Sequence, residues 1–389
     1  MYICRIYLMK MKNKHVGILC NPSKAGRNAL KERHIAAQRL GIKVYSILLS
    51  QSNIDRIKNN KKIKVRYWKQ SSICQRYIDL PYIIYDRVDL LSPKRSIAEE
   101  IIDIATECGC VILNNPRMRS LCKSKMDTYE FFKNEDYVPK TDRLNRDNFQ
   151  KYLTNYDKIF IKPEIGSQGN GQIFIKSSDS FFIIYSTDQV SYFDNIDSGW
   201  DYIDDILDTY SDKYPKNKYL IQKGVDIKKK DDRVVDFRII YHRDGNDKLT
   251  ETAIYMRVGA PKSFRSNIGQ KGHAQDPRIV FNESNLTSKL SEFGEKVINK
   301  LSEKYFIIEI GLDVLLDNNN KLWLLELNSK PGSKGLKSLK EFIPEDKQNI
   351  KNAVMPYSYS NRDRRNWGRK YKLFISKPLS YFKFLFKFH

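Results

Sequence analysis

The sequence predicts a mixed architecture, an α/β region followed by α+β regions, and three patterns indicate it. HVGILC at 15–20 and IKVYSILL at 42–49 are strand-like runs separated by a helical pattern at 29–40, and this alternation is typical of a parallel sheet. Strand-like runs then dominate residues 219–259, where the turn HRDGND joins two of them as a hairpin. IIEIGLDVLLD and KLWLLELN form a second hairpin across Asn318–Asn320.

The remaining elements divide the 389 residues into four regions. Further strands are predicted at 82–86, 110–115, 158–162 and 172–176, and further helices at 94–107, 118–133 and 287–304. The predicted regions are an N-terminal α/β domain at 1–118, a second unit at 119–217, a third at 218–345 and a basic, aromatic tail at 346–389.

The composition narrows the class of protein. The chain carries 69 Lys and Arg against 46 Asp and Glu, a net charge of +23, which favours anionic partners, although enrichment in Lys, Ile, Asn and Tyr weakens this indication. No run reaches the roughly 18 uncharged apolar residues of a membrane-spanning helix, and no secretory cleavage pattern follows the basic start. Six cysteines are too few for a disulfide scaffold, and the Cys108–Cys110 pair lacks the two further ligands of a zinc site. A cytoplasmic protein is predicted.

A glycine-rich loop between two predicted strands is the first candidate for chemistry. Lys162–Pro163 precedes GSQGNG at Gly166–Gly171. Such a loop lets backbone N–H groups approach phosphate oxygens, and a nearby lysine neutralises their charge. The loop is neither a Walker A motif nor a dinucleotide fingerprint, and taken alone an ordinary hairpin explains it equally well.

Three oxygen-bearing side chains lie on the last two predicted strands. Asp313, Glu326 and Asn328 occupy positions where the strands otherwise carry Leu, Ile, Val and Trp, and the last two share one face because they are two residues apart. A buried carboxylate is costly unless it is paired or binds a metal. Two carboxylates and an amide oxygen are hard ligands that suit Mg²⁺.

Arginines on the predicted hairpin strands form a third candidate. Asp236 and Arg238 alternate on one strand, and Arg257 follows on the next. Arginines beside a magnesium site are what phosphoryl transfer needs, since positioning and charge neutralisation supply most of the rate. Surface arginines on an exposed sheet face are the alternative.

These motifs, in this order, resemble the ATP-grasp pattern across about 120–335. More narrowly, the chain resembles the YheC/YheD family of endospore coat-associated ATP-grasp proteins. The segments that carry this resemblance are LPYIIYDRVD, NNPRMRSLCKSKMDTYEFF, VPKTDRL, VDFRIIY and LWLLELNSKPG. The piece SNIGQKG also resembles glutamate-ligase-type ATP-grasp enzymes. The resemblance implies an ATP-grasp fold of two lobes clasping ATP, the lid lobe at 119–217 and the Mg/ATP lobe at 218–345, after a small Rossmann-like domain.

The resemblance also implies roles for individual residues. Lys125 and Lys162 would hold nucleotide phosphates under a lid that includes Gly166, Ser167, Gly169 and Gly171. Adenine would be contacted by Gln222, Lys223 and Val225, and the ribose by Asp226. Arg238 and Arg257 would face the γ-phosphate, Asn267 would face the substrate, and Mg²⁺ would be bound by Asp313, Glu326 and Asn328. One departure is the spacing Gly269-Gln270-Lys271-Gly272, where the family has a close glycine pair.

The implied activity is an ADP-forming ligase that phosphorylates a carboxylate and then joins the acyl group to an amine or a thiol. The resemblance associates it with the spore coat or cell envelope and with small-molecule or peptide substrates. The alternative is a coat assembly protein that binds ATP without catalysis.

The tail leaves three interpretations open. Residues 356–389 contain nine Lys and Arg, one acid and ten aromatics, and the aromatic residues alternate with Lys or Leu in YFKFLFKF at 381–388. A strand or short helix packed on the body with its lysines outward fits this pattern. Contact with an anionic membrane or envelope surface also fits, and nucleic-acid binding is the least favoured.

Overall fold

The computed structural model describes residues 15–20, 24–69, 72–89, 92–166, 169–178, 180–186, 189–261, 272–280, 285–341 and 361–388. Within these ranges no helix combines the length and apolar character that crossing a bilayer requires. Three sheets, described in chain order below, form the framework.

The first sheet is largely parallel, as predicted for the N-terminal region. Its strands are His15–Leu19 (β1), Lys43–Ile47 (β2), Ile63–Lys69 (β3), Ser72–Ile78 (β4), Ile83–Asp86 (β5) and Val111–Leu113 (β6), with helices Lys24–Leu40 (α1), Gln51–Lys58 (α2) and Arg95–Glu107 (α3). The strand order is β4-β3-β2-β1-β5-β6, and the last four strands are parallel. The predicted β1–α1–β2 unit is confirmed, because β1 and β2 pair in parallel. Helix α2 and the antiparallel strands β3 and β4 were not predicted.

The second sheet is antiparallel and carries the glycine-rich loop. This part contains Pro116–Lys123 (α4), Lys125–Phe132 (α5), Thr141–Arg143 (β7), Arg146–Asn155 (α6), Lys158–Pro163 (β8), Ile173–Ser177 (β9), Phe182–Tyr185 (β10), Val190–Phe193 (β11), Ile196–Thr209 (α7), a 3₁₀ turn at Lys216–Lys218 and Tyr219–Lys223 (β12). The strand order is β11-β10-β9-β8-β12-β7. The predicted hairpin β8–β9 is confirmed, whereas the single helix predicted at 118–133 is two helices, α4 and α5. They separate at Ser124, whose backbone is extended and whose side chain caps α5.

The third sheet is antiparallel and contains both predicted hairpins. Its elements are Val235–Arg243 (β13), Leu249–Val258 (β14), His273–Gln275 (β15), Pro277–Val280 (α8), Leu286–Ser302 (α9), Glu309–Leu316 (β16), Leu322–Asn328 (β17) and Lys334–Glu341 (α10). The strand order is β15-β14-β13-β16-β17. Apolar residues of β13, such as Phe237 and Ile239, pack against Leu290 and Val297 of α9 and fix this sheet as a rigid platform.

The tail is a single helix, Asn361–Phe388 (α11), packed against α1, α10, β13 and β14. Three of its aromatic side chains are packed inward, since Trp367, Phe374 and Phe382 are at most 2% exposed. The prediction of a strand or short helix was therefore wrong in length. The buried aromatics are not available as membrane anchors or base-stacking surfaces in this arrangement. Not all lysines point outward either, because Lys377 donates to Thr250 at 2.7 Å.

Candidate functional site

A cavity of about 520 Å³ lies between the second and third sheets. Eleven of the residues predicted as functional line it: Lys125, Lys162, Gly166, Gly169, Gln222, Lys223, Val225, Asp226, Arg257, Asp313 and Glu326. Motifs that are up to about 200 residues apart in the sequence therefore meet in one space because the two sheets face each other.

Lys162 lies at the bottom of this cavity, on β8. Its side chain is 7% exposed, and its Nζ donates to Oε1 of Gln222 at 2.6 Å. Gln222 is held in turn by Thr141, whose Oγ1 accepts from Nε2 at 2.7 Å. Burial, and then the nearby charge of Lys125, lower the pKa of Lys162 to about 7. Among the described residues the Nζ of Lys162 is hydrogen-bonded to a neutral amide and not to an acid, so its positive charge can bind an anion.

Lys125 begins α5 and reaches the glycine-rich loop. Its Nζ donates to the carbonyls of Pro163 and Gly166 at 3.2 and 3.3 Å. The helix start is fixed by Glu164, which accepts from Oγ of Ser124 at 2.7 Å and, through its backbone carbonyl, from N–H of Lys125 at 3.1 Å. The break between α4 and α5 thus aims Lys125 at the loop.

Glycines are required at two close approaches around the cavity. Gly171 has a φ of +68°, and a Cβ there would lie 2.9 Å from Oη of Tyr219. It shapes the base of the loop and is not itself among the lining residues. Gly224 was not predicted, although a Cβ at this position would lie 2.5 Å from Cβ of Lys158, so only glycine lets the chain leave β12 here. Its signal was the QKGV turn at the end of an apolar strand.

Apolar side chains close the cavity on both sides, and the sequence did not single them out. Phe160 and Phe174 have ring centroids 4.9 Å apart, and Phe174 stacks on Tyr185 at 5.4 Å. Leu315 and Leu325 line the cavity from the third sheet. Two apolar walls separated by a narrow space suit a flat ring system.

The residues after β12 close the outer edge of the cavity. Asp226 is bound by Lys158 and accepts from Nδ2 of Asn318 at 2.9 Å. Lys223 lies over the ring of Tyr156, 5.3 Å from its centroid. Asp226 therefore links both sheets next to Gln222, Lys223 and Val225, the residues expected to contact adenine.

A row of charged side chains crosses the third sheet, because opposite residues of neighbouring strands pair. Arg257 is opposite Asp236, Arg238 is opposite Asp313, and Asp313 is opposite Glu326. Arg238 clasps Asp313 with two nitrogens, and Arg257 binds both Asp236 at 2.5 Å and Asp313 at 3.0 Å. Arg238 lies beneath Asp313 and is not among the residues that line the cavity.

The chemistry of the donor set fits a magnesium ion. Asp313 carries two oxygens and accepts three N–H groups, so a lone pair remains for a metal. The carboxylate of Glu326 has no hydrogen bond to a described residue, and Nδ2 of Asn328 is buried without a partner in the same part of the chain. Rotating the side-chain amide of Asn328 by 180° exchanges the positions of its oxygen and nitrogen. Asn328 therefore suits a cation on this face, because its oxygen can take the place of Nδ2. Nowhere in the described ranges do three or more His, Cys, Asp or Glu side chains gather as a metal site of their own, so phosphate oxygens would complete the shell.

Two predicted residues, Ser167 and Asn267, lie outside the described residues. The others are placed as above, with most of them lining one cavity and three, Gly171, Arg238 and Asn328, supporting it from behind or beside it.

The sequence profile of the YheC/D-like ATP-grasp family matches residues 114–360. The chain belongs to this family. The N-terminal parallel sheet and the tail helix α11 lie outside the matched range.

Two curated relatives come from Bacillus subtilis (strain 168). The chain is 24% identical over 277 residues to endospore coat-associated protein YheD, covering 66% of this chain and 58% of that protein. It is 24% identical over 226 residues to endospore coat-associated protein YheC, covering 55% of this chain and 59% of that protein. The chain thus spans less than two thirds of the length of these relatives.

A solved structure of N5-carboxyaminoimidazole synthetase from Staphylococcus aureus in complex with ADP is similar in fold. The TM-score is 0.50 at 14% identity, with 89% of this chain and 80% of that chain covered. At this level of identity the likeness concerns the fold alone.

Proposed function

We propose that the protein is an ATP-dependent, ADP-forming ligase that activates a carboxylate by phosphorylation. The observation that supports this most directly is that Lys125 and Lys162 open into the same cavity as Asp313 and Glu326. Cations for a polyphosphate and carboxylates for a divalent metal in one space are the minimum equipment for phosphoryl transfer.

In the proposed arrangement the chain's own residues do most of the work by position. Lys125, Lys162 and the loop glycines bind the phosphates, while the apolar walls around Phe174 and Leu325 receive the adenine ring. Asp313, Glu326 and Asn328 would hold Mg²⁺, which when bound neutralises charge on the phosphate oxygens. Arg257 lies on the cavity wall, where it stabilises negative charge that develops on the transferred group.

The proposed reaction has two displacements. A carboxylate oxygen of the substrate attacks the γ-phosphorus of ATP, the bond to the β,γ-bridging oxygen breaks, and ADP leaves. An amine or thiol then attacks the acyl carbon and inorganic phosphate leaves with the bonding electrons. The loop over the cavity protects the acyl phosphate from water.

The relatives' names, endospore coat-associated proteins, support a role in the spore coat, and we infer a small molecule or peptide as the carboxylate substrate. This assignment is a proposal, since the chain spans less than two thirds of those proteins.

The test measures ADP release with Mg²⁺ against a panel of amino acids, short peptides and envelope precursors. For an acceptor that supports turnover, Glu326→Gln is expected to lower kcat at least about 100-fold, because it removes a charged ligand of the Mg²⁺ that neutralises the phosphates. Glu303→Gln is the matched control, since this side chain is 68% exposed at the end of α9.

Full turnover in Glu326→Gln would contradict the proposal. Binding of a fluorescent ATP analogue without ADP release for any acceptor would favour the alternative, an assembly protein that binds ATP without catalysis.

A further inference from the structure

A second polar cluster lies outside the cavity, at the end of β5. Asp86 is fully buried, and its Oδ2 accepts from Nη1 of Arg95 at 2.8 Å, from Nζ of Lys330 at 2.8 Å and from Nη1 of Arg119. The three cations come from α3, from the segment after β17 and from α4. Asp86, Arg95, Arg119 and Lys330 are called the Asp86 cluster below.

The Asp86 cluster carries more positive than negative charge. Glu99 binds Nε of Arg95 at 2.8 Å but is half exposed, and with this acid included three cations face two carboxylates. The three cationic side chains are only 11–13% exposed. An excess charge so far from water is costly without a further anion.

Arg119 shows a second sign that the cluster is incomplete. Its Nε is buried and has no hydrogen-bond partner within the part of the chain that the structure describes. A buried donor without a partner is destabilising, because its hydrogen bond to water is lost and not replaced.

The position of the cluster is one at which α/β sheets bind ligands. Asp86 is the last residue of β5, which pairs in parallel with β1. The chain continues from β1 to β2 on one side of this pair and from β5 to β6 on the other side, so the direction of the connections reverses between β1 and β5. Open parallel sheets bind ligands at the carboxyl ends of such strands. Helix α3 starts here, and its N-cap residue, Lys94, makes no side-chain capping bond. Its N-terminus therefore adds positive potential.

The cluster is also close to the proposed metal residues. Lys330 follows Glu326 by four residues, which span at most about 14 Å when fully extended. Asn114 fixes this segment against the first sheet, because its Nδ2 donates to the carbonyls of Ser329 at 2.7 Å and Glu309 at 2.8 Å. Such a separation is within the length of a short extended peptide.

We propose that Arg95, Arg119 and Lys330 form a subsite for a second anionic group of the ligase's substrate, a carboxylate or a phosphate. Guanidinium groups pair with both anions through two parallel hydrogen bonds, and the ammonium adds charge. This inference rests on the proposed function for its link to catalysis, and it assigns the substrate to acidic molecules that carry an anion besides the carboxylate that is phosphorylated.

The test measures anion binding to the full chain without nucleotide. The thermal unfolding midpoint and calorimetric affinity are followed with inorganic phosphate, with succinate and with chloride at matched ionic strength. Phosphate or succinate is expected to raise the midpoint beyond chloride, and Arg119→Gln is expected to weaken that affinity about tenfold or more by removing charge-assisted hydrogen bonds. The anion that binds with the higher affinity, phosphate or succinate, identifies the group that the subsite prefers.

Two variants separate this site from other sources of an anion response. Arg117→Gln removes the same charge from an exposed position on the same helix and is expected to leave the affinity unchanged. Lys125→Gln weakens the phosphate site of the cavity by removing one of its two lysines, and a response that survives it but is lost in Arg119→Gln supports the Asp86 cluster.

The inference is overturned if the wild type responds no more to phosphate or succinate than to chloride. It is also overturned if the response persists in Arg119→Gln but disappears in Lys125→Gln. Should Arg119→Gln fail to fold, Lys330→Gln takes its place with the same outcomes. Failure of the proposed function is seen separately, as binding of a fluorescent ATP analogue that Lys125→Gln does not change.

Discussion

Two buried arginine–carboxylate assemblies, one on β13, β14 and β16 and the other at the end of β5, differ in charge balance. Asp236, Arg238, Arg257 and Asp313 form a quartet of two acids and two arginines, each 2–7% exposed. The Asp86 cluster joins three cations to one fully buried acid and shares a second, half-exposed acid.

The difference indicates separate tasks. Burial works to raise the pKa of Asp313, but Arg238 and Arg257 outweigh it and hold this pKa below its ordinary value, and the quartet pairs two arginines with two acids. Burial opposes ionisation of Asp86 as well, and Lys330 and Arg95 keep its pKa low. In the quartet the positive and negative groups are equal in number without a ligand, and they hold Arg257 and Asp313 at the cavity wall. The Asp86 cluster, in contrast, has an excess of positive charge.

The largest expected effect is on the quartet. Asp313→Asn leaves two buried guanidinium groups facing a single acid, and we expect the free energy of unfolding to fall by about 3–5 kcal/mol. Urea unfolding measures it, with Asp212→Asn at an exposed position as the control. A loss below about 1 kcal/mol, the value of a surface pair, would show that the quartet is not held as a closed unit.

A smaller loss of stability, which added phosphate should reverse, is expected at the Asp86 cluster. Asp86→Asn removes the shared acid, and we expect a loss of about 2 kcal/mol in the free energy of unfolding, within the usual range for broken buried networks. Because the three cations then share only the half-exposed carboxylate of Glu99, added phosphate should stabilise this variant more than it stabilises the wild type. Equal stabilisation of both proteins, measured by thermal unfolding, would remove the contrast between the two assemblies.

The quartet was largely predictable from sequence, and the cluster was not. Asp313 and Glu326 interrupt apolar strands of a hairpin, so a local pattern reveals both the unusual residues and the face they share. Asp86 is bound by Lys330, 244 residues further along the chain, and no periodicity links the two. The pairing depends on how the first and third sheets dock.

Tertiary context also decides the elements that were missed or wrong. The alternation in YFKFLFKF suggested a strand, a short helix packed on the body or an interfacial segment, whereas α11 is 28 residues long and buries Trp367, Phe374 and Phe382 against the body. The separation of α4 and α5 depends on Ser124, whose hydroxyl donates to Glu164, 40 residues later. The aromatic wall of Phe160, Phe174 and Tyr185 combines three strands, and each residue alone is an ordinary strand residue.

The smallest expected effect extends the comparison to a cation without any directly bound acid. Lys162 is hydrogen-bonded to an amide, and its pKa is lowered to about 7. Bound phosphates favour the ammonium form and raise this pKa, so nucleotide binding above pH 7 takes up a proton. The dissociation constant for ADP should therefore rise by up to about tenfold per pH unit between pH 7 and the pKa of Lys162 in the bound state.

Lys162→Met is expected to bind ADP more weakly at pH 6 and to lose this dependence of the dissociation constant on pH. Ionisation of the phosphates themselves affects both proteins equally. Calorimetry in buffers of different ionisation enthalpy counts the protons, and the same uptake in wild type and Lys162→Met would show that Lys162 keeps its charge without a ligand.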